Sequence, residues 1–458
     1  MIRSGRRAAL LAGTLLAASL LAAASLPAAG VHASTGLVSA RTSPSPVSRR
    51  EARALAQIRD RRLGSPATTP SPFSLTGLYG VYCTSAPNCW AVGSQQSAAG
   101  KPMLNQMLHW NGKTWRKVPV PNPGGTANGD VNELFSVRCL TSRSCWAVGE
   151  DSRGGLAVLN QALHWNGRKW SKVRTPNPGG SKKDDVNELF DVTCTSAANC
   201  WIVGDFGTPM GPKQKLLNLV LHWNGRAWSR VRTINPGGTS AGHLNSLIAV
   251  RCGSAGSCNA VGDYGTASGT STYLTLNEAL HWNGRRWSKA RTPNPGGTGF
   301  GNFSQLDALA CSSPTSCWGA GSYGTNEPTT KSLNEILHWN GRKWTKSTTP
   351  NPGGTRLGDS NQLVGGTCSS ARNCWTVGSY DTKAGAMVNE ALHWNGRRWS
   401  LTHTLSPGKA AIDKLDTLEG VRCTSDRNCW AVGFQGFLTP GKFLDEILHW
   451  NGKKWSVR

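Results

Sequence analysis

Residues 134–174 read LFSVRCLTSRSCWAVGEDSRGGLAVLNQALHWNGRKWSKVR, and this stretch decides the fold. It divides into four strand-like pieces: Leu134–Cys139, Trp146–Gly149, Asn160–Trp165 and Trp170–Arg174. Apolar and polar residues alternate with a period of two, enriched in β-branched and aromatic side chains, as strands require. Asn166-Gly167, between the third and fourth pieces, is a strong short-hairpin signal. It predicts a type I′ turn with positive φ at both central residues.

The same unit is written seven times. Its cysteine pairs are Cys83/Cys89, Cys139/Cys145, Cys194/Cys200, Cys252/Cys258, Cys311/Cys317, Cys368/Cys374 and Cys423/Cys429, which account for all 14 cysteines. Successive units lie 55 to 59 residues apart, a period of propellers and arrays. Four antiparallel strands repeated seven times predict an all-β chain: a seven-bladed β-propeller of four-stranded blades over residues 75–458, one disulfide per blade. A β-helix needs a much shorter period. Separate domains of about 56 residues would rarely bury their own cores.

Ala91-Val92-Gly93, Trp110, Trp115 and Pro119 follow a pattern that resembles a kelch repeat, with one glycine and His-Trp where kelch repeats carry two glycines and a tyrosine. The Asn-Gly-x-x-Trp hairpin also resembles a degenerate Asp-box of sialidase-type propellers, without that motif's aspartate and serine. Both resemblances imply a propeller, and neither implies a catalytic residue.

A C-x5-C pair supplies two thiolates and lacks the second pair of a structural zinc site. As a disulfide it joins the end of strand one to the start of strand two, where cross-strand neighbours are close enough to bond. Such bonds are expected to be local clips at the blade edges. The 20 tryptophans, three per unit except where Asn259 replaces one, are expected between blades. His109, His164, His222, His281, His338, His393 and His449 fall on the third strand of each blade, about 10 Å outside the innermost ring. There they diverge, so hydrogen bonding within the blade is expected and no metal or cofactor is assigned.

Residues 1–33 read as an export signal. Arg3, Arg6 and Arg7 precede an Ala/Leu-rich run that ends at Val31-His32-Ala33, and an uncleaved anchor is the alternative. No later segment is apolar enough to span a membrane. Residues 34–74 form a Ser/Pro/Arg-rich linker with capping-box spacing at Ser48-Arg49-Arg50-Glu51 and a short helix predicted near 49–63. Residues 66–74 resume a sequence pattern that breaks off at Arg458, so they are expected to dock beside blade seven.

Lysine and arginine number 50 against 25 aspartate and glutamate. Such a surplus attracts polyanions without choosing among them. Lys113, Arg168, Arg226, Arg285, Arg342, Arg397 and Lys453 follow Asn-Gly in each unit and predict a basic rim on the disulfide-hairpin side. Spread around a wide ring, they look unlike a nucleic-acid groove. On the opposite face the loops vary most. There Asn132, Asn187, Asn245, Asn361 and Asp416, with Ser304 in unit five, stand at the predicted channel mouth, either binding a polar ligand or capping turns. Phe206, Tyr264, Tyr323 and Tyr380 are placed in this face's loops as stacking groups for a sugar.

These residues predict a secreted or envelope-associated, monomeric binding propeller for an extracellular glycan, an anionic wall polymer or a protein. The alternative is a carbohydrate-active enzyme, a glycosidase or lyase. Glycoside hydrolysis needs two carboxylates at a defined separation. Asp130, Asp184, Asp185, Asp205, Asp263, Asp359 and Asp381 offer no pair that stands out.

Overall fold

The computed structural model describes residues 75–208, 215–267, 273–325, 331–407, 414–437 and 441–458. The export signal, the linker, its helix and the docking of residues 66–74 lie outside the described residues. Twenty-eight strands form seven blades, each a four-stranded antiparallel meander built from contiguous sequence. In the first blade these are Leu75–Ser85, Asn88–Gln96, Leu104–Trp110 and Trp115–Lys117. A single parallel pair, Thr275 with Phe303, links blades four and five, and Met387 with Leu415 links blades six and seven.

Tryptophan assembles the ring. The second-strand indole of each blade packs on the third- and fourth-strand indoles of the next: Trp90 on Trp165 and Trp170 (centroids 5.1 and 5.3 Å), Trp146 on Trp223 and Trp228 (both 5.0 Å). Blade seven closes on blade one in the same way, Trp430 lying 4.8 Å from Trp110 and 5.2 Å from Trp115. A tilted ring and an edge-on ring against one indole face satisfy the aromatic quadrupole. The exception is Asn259, which donates to Cys317 Sγ at 3.6 Å, while His281 covers Trp339 at 5.6 Å.

A polar belt accompanies this packing. The third-strand asparagine of one blade donates to a glutamine or glutamate on the third strand of the next: Asn105 to Gln161, Asn218 to Glu278, Asn277 to Glu335, Asn334 to Glu390 and Asn389 to Glu446, at 2.5–2.6 Å. Gln106 donating to Asp445 at 2.5 Å completes the closure between blades one and seven. At the blade two–three interface Leu219 occupies the acceptor's place.

All seven disulfides form between register partners on strands one and two, with Cα atoms 3.9–4.0 Å apart. They clip each innermost edge strand to its neighbour, as expected, and each is also buried at one end. The second cysteine of every pair, Cys89, Cys145, Cys200, Cys258, Cys317, Cys374 and Cys429, is almost fully buried. The reason is that strand two lies inside the blade: Cys89 has Cys83 as its register partner on one side and Trp110 on the other. The same cysteines belong to the cores between blades, where they pack in clusters that include the preceding blade's second-strand indole. Cys89 lies with Trp430, Cys145 with Trp90, Cys200 with Trp146, Cys258 with Trp201, Cys374 with Trp318 and Cys429 with Trp375. Their sulfurs are therefore core atoms, closed to any ligand. Each of the seven third-strand histidines bonds within its own blade, for example His109 Nε2 with Asn88 Oδ1 at 2.6 Å, and burial lowers its pKa.

The third-to-fourth hairpin departs from the type I′ expectation. The strands pair at Trp110 and Trp115, which leaves a four-residue loop. Asn111 Oδ1 accepts from the backbone N–H of Lys113 and Thr114, both at 3.0 Å, and only the glycine takes positive φ (Gly112, 92°). The side-chain carbonyl supplies the turn's acceptor, so asparagine need not enter the left-handed region.

Candidate functional site

The innermost strand of every blade carries a bulge. Its register against strand two skips one residue: Tyr79, Phe135, Phe190, Ile248, Asp307, Val364 and Glu419 in blade order. A bulge re-aims a side chain and sharpens the local twist. It also explains the glycine of Ala-Val-Gly: a Cβ on Gly149 would stand 1.9 Å from the carbonyl oxygen of Glu133. All seven bulged residues are buried. Tyr79, Phe135, Phe190, Ile248 and Phe434 form one apolar cluster, with Phe135 and Phe190 centroids 5.9 Å apart. Gln305 donates to Asp307 at 3.2 Å, and Thr417 to Glu419 at 3.3 Å. These residues plug the middle of the propeller.

On the disulfide side of the plug a cavity of about 100 Å³ remains. Just after the bulge the strands converge, and the residues there are small: Gly80, Ser136, Ala249, Ala308, Gly365 and Gly420, with Asp191 in blade three. Two residues further on, directly before each first cysteine, stand Tyr82, Arg138, Thr193, Arg251, Ala310, Thr367 and Arg422. All of these last except Thr193 line the cavity, as does Asp191.

Three guanidiniums therefore face one carboxylate. Arg251 pairs with Asp191 Oδ2. Asp191 also accepts from Ser136 Oγ at 2.7 Å and from the Val250 N–H at 2.9 Å. Arg138 and Arg422 instead lie against one aromatic ring, 4.7 and 4.3 Å from the centroid of Tyr82, and Arg422 Nη2 donates to the phenol oxygen at 3.2 Å. Arg422 Nε has no hydrogen-bond partner among the described residues. Burial pushes the Arg138 guanidinium down to about 10, and burial likewise lowers Arg422. Burial alone would raise the Tyr82 phenol, but Arg138, Arg422 and Arg251 overcome it and bring the phenol below its ordinary value.

The residues named from sequence lie elsewhere. Asn132, Asn187, Asn245 and Asn361 are fully buried. Asn132 Oδ1 accepts from the Gly124 N–H at 2.7 Å, while Nδ2 donates to the carbonyls of Met103 (3.1 Å) and Gly125 (3.0 Å). The other three repeat this clamp on their own Pro-Gly-Gly loops, for example Asn361 on Gly353 and Gly354. Ser304 Oγ accepts from the Gly296 N–H at 3.0 Å, and Asp416 is buried as well. The asparagine amides thus hold blade-to-blade loops, with their donors committed to backbone.

Phe206, Tyr264, Tyr323 and Tyr380 lie on second strands rather than in loops, because those strands run on to Thr208, Ala267, Thr325 and Asp381. Three of these rings are covered by a fourth-strand cation of their own blade: Arg230 over Phe206 (4.4 Å), Lys289 over Tyr264 (4.4 Å) and Lys346 over Tyr323 (4.3 Å). A sugar would have to displace these cations. Burial, with the charge of Glu390, raises the Tyr380 phenol. Asp130, Asp185 and Asp359 close their own loops by accepting backbone N–H groups at 2.7–2.8 Å.

Lys113, Arg168, Arg226, Arg285, Arg342, Arg397 and Lys453 are all exposed. Their hairpin tips press against the disulfide hairpins, Gly112 against Pro87 and Gly396 against Arg372. The basic ring and the arginine cavity thus share one face. Sequence reasoning missed Arg138, Arg251 and Arg422. Their signal was a position: the residue before the first cysteine, on the innermost strand.

No protein-family model matches this chain, and no curated protein matches its sequence. Among solved structures it is similar to the GH74 xyloglucanase from Xanthomonas campestris, at 12% identity and TM-score 0.47, over 86% of this chain and 55% of that one. This chain thus spans about half the length of that enzyme. It is also similar to the β-propeller domain of the Trilobed protease from Pyrococcus furiosus, at 10% identity and TM-score 0.44, over 83% of this chain and 98% of that one. A third is the GH93 α-L-arabinofuranosidase of Fusarium graminearum with arabinobiose, at 12% identity and TM-score 0.40, over 69% and 91%.

Proposed function

We propose that this chain is an exported, non-catalytic binding propeller that holds an anionic extracellular glycan or wall polymer against its disulfide-hairpin face. One observation carries the reading. The centre of that face is a cavity with three guanidiniums and one carboxylate, encircled by seven exposed lysines and arginines. Asp191, the carboxylate lining the cavity, is committed to Arg251, Ser136 and a backbone N–H, so it supports ion pairing rather than general acid catalysis. Residues 1–33 then serve as the export signal and 34–74 as the spacer. Seven disulfides suit an oxidising compartment.

Co-sedimentation with a phosphate-bearing wall polymer, against a neutral glucan of similar length, tests this. We expect retention by the anionic polymer that falls steeply as salt rises, because exposed charges are screened over about 8 Å at physiological ionic strength. Equal retention by the neutral glucan sinks the reading. Release of reducing sugar from either polymer would make the chain a hydrolase.

A further inference from the structure

We infer that the central cavity is a blind receptor for one tetrahedral dianion, a phosphoryl group, either free phosphate or the phosphomonoester end of a glycan. The inference rests on the hairpin face being the binding face, and it names what the centre of that face takes.

The cavity carries an excess of positive charge. Arg138, Arg251 and Arg422 come from blades two, four and seven, and Asp191 neutralises one of them. The position of Asp191 is glycine, alanine or serine in the other six blades, so no other blade supplies an acid there. Two guanidiniums are left, held by the face and oxygen of Tyr82 rather than by a carboxylate. Cation–π contacts compensate a guanidinium only partly. A dianion matches the excess, and each guanidinium presents a donor fork suited to phosphoryl oxygens.

The shape of the cavity also suits a small anion. Between the Arg251 and Arg422 blades the wall is Ala310, Gly365, Gly366 and Thr367, which leaves room for a ligand. Thr367 is buried, and its hydroxyl has no hydrogen-bond partner among the described residues. A volume of about 100 Å³ has room for a phosphoryl group. The floor is the plug of buried bulged residues, Phe135 and Phe190 on one side and Asp307 and Glu419, which accept from Gln305 and Thr417, on the other, so the group enters and leaves by the hairpin face.

The unliganded site holds like charges close together, which gives the inference a signed test. Thermal unfolding of the full chain is followed with inorganic phosphate, glucose 6-phosphate or acetate at constant ionic strength. We expect a saturable rise in Tm with phosphate that acetate does not reproduce. Arg138→Gln and Arg422→Gln should each weaken the phosphate response at least tenfold, while the Tm without phosphate stays level or rises because repulsion is relieved. Arg397→Gln, on the rim, should leave the response intact. Glucose 6-phosphate acting like phosphate identifies an ester end group as the ligand; phosphate acting alone identifies the free anion. An unchanged response in Arg422→Gln, or acetate equal to phosphate, overturns the inference. If the variants fail to fold, ultraviolet titration of the parent chain decides: bound phosphate should raise the depressed tyrosine titration, and no movement is a refutation. A chain that sediments with the wall polymer yet ignores phosphate loses the receptor and keeps the rim. A chain that does neither loses both.

Discussion

The interfaces between blades and the lining of the channel obey opposite rules. Six of seven interfaces repeat one arrangement, a second-strand indole against two indoles of the next blade, as in Trp318 on Trp394 and Trp399 or Trp375 on Trp450 and Trp455. The pre-cysteine position of the innermost strand reads Tyr, Arg, Thr, Arg, Ala, Thr, Arg. The difference is geometric. Each interface brings the same strands of neighbouring blades together, so one packing solution serves around the ring. The seven innermost strands meet only once, at the axis, so their residues form a single site in which repetition has no use. In this fold, repetition marks the scaffold, and variation at the axis is what the proposed site is built from.

The hardest blow to this contrast is dealt at the interfaces. Trp375 is almost fully buried. Trp375→Ala should cost about 3–5 kcal/mol, the usual range for a buried aromatic cut to alanine. Asn259, at the interface without the indole, bonds His281 Nδ1 at 3.0 Å. Asn259→Ala should cost about 1 kcal/mol, the worth of a typical hydrogen bond. Denaturant unfolding of the two variants measures both. Equal losses would show that the indoles do not assemble the ring.

The disulfides come next. Each closes a short loop, so replacing Cys139 and Cys145 together by serine should cost about 2 kcal/mol through loop-closure entropy. Burial of Cys145 beside Trp90 means that a serine hydroxyl there adds to the loss. Blades two and six share no interface, so the double replacements at Cys139/Cys145 and Cys368/Cys374 should add within about 0.5 kcal/mol. Strong non-additivity in denaturant unfolding would mean that a lost clip is felt around the whole ring.

The scaffold was legible because its signals are local and repeated. Cysteine spacing gave the clips, and strand periodicity with the Asn-Gly hairpins gave the blades. The site was not, for two physical reasons. A bulge adds one residue to an alternating pattern, and nothing in Leu134-Phe135-Ser136 announces that Phe135 leaves the ladder. Composition also misdirected the reading: seven cations after Asn-Gly outshone three arginines before cysteine, although only the latter converge. Asn132 and its equivalents read as channel-mouth residues, but an asparagine that clamps a Gly-Gly loop and one that binds a ligand look alike in sequence.

The smallest effect tests the belt between blades, where the repeat itself varies. Gln161 Nε2 donates to the carbonyls of Glu133 (3.1 Å) and Glu150 (2.8 Å) while its oxygen accepts from Asn105. Glu278, Glu335, Glu390 and Glu446 occupy the same position, and each has a buried second oxygen without a partner among the described residues. A carboxylate cannot donate to those carbonyls, but a protonated carboxyl can. Burial raises all four groups well above the ordinary carboxylate range, against the lowering effect of the asparagine bond. A carboxyl raised on folding binds its proton more tightly in the native state. Its contribution is complete below the unfolded value and is lost as pH rises through the folded one. Glu390→Gln should restore the Gln161 arrangement at any pH. Its stability advantage over the parent in denaturant unfolding should be near zero at acidic pH and grow toward alkaline pH, reaching about 1 kcal/mol. A difference that stays flat across that range would mean that glutamate and glutamine hold neighbouring blades by different bonds, and that the belt is not one device repeated.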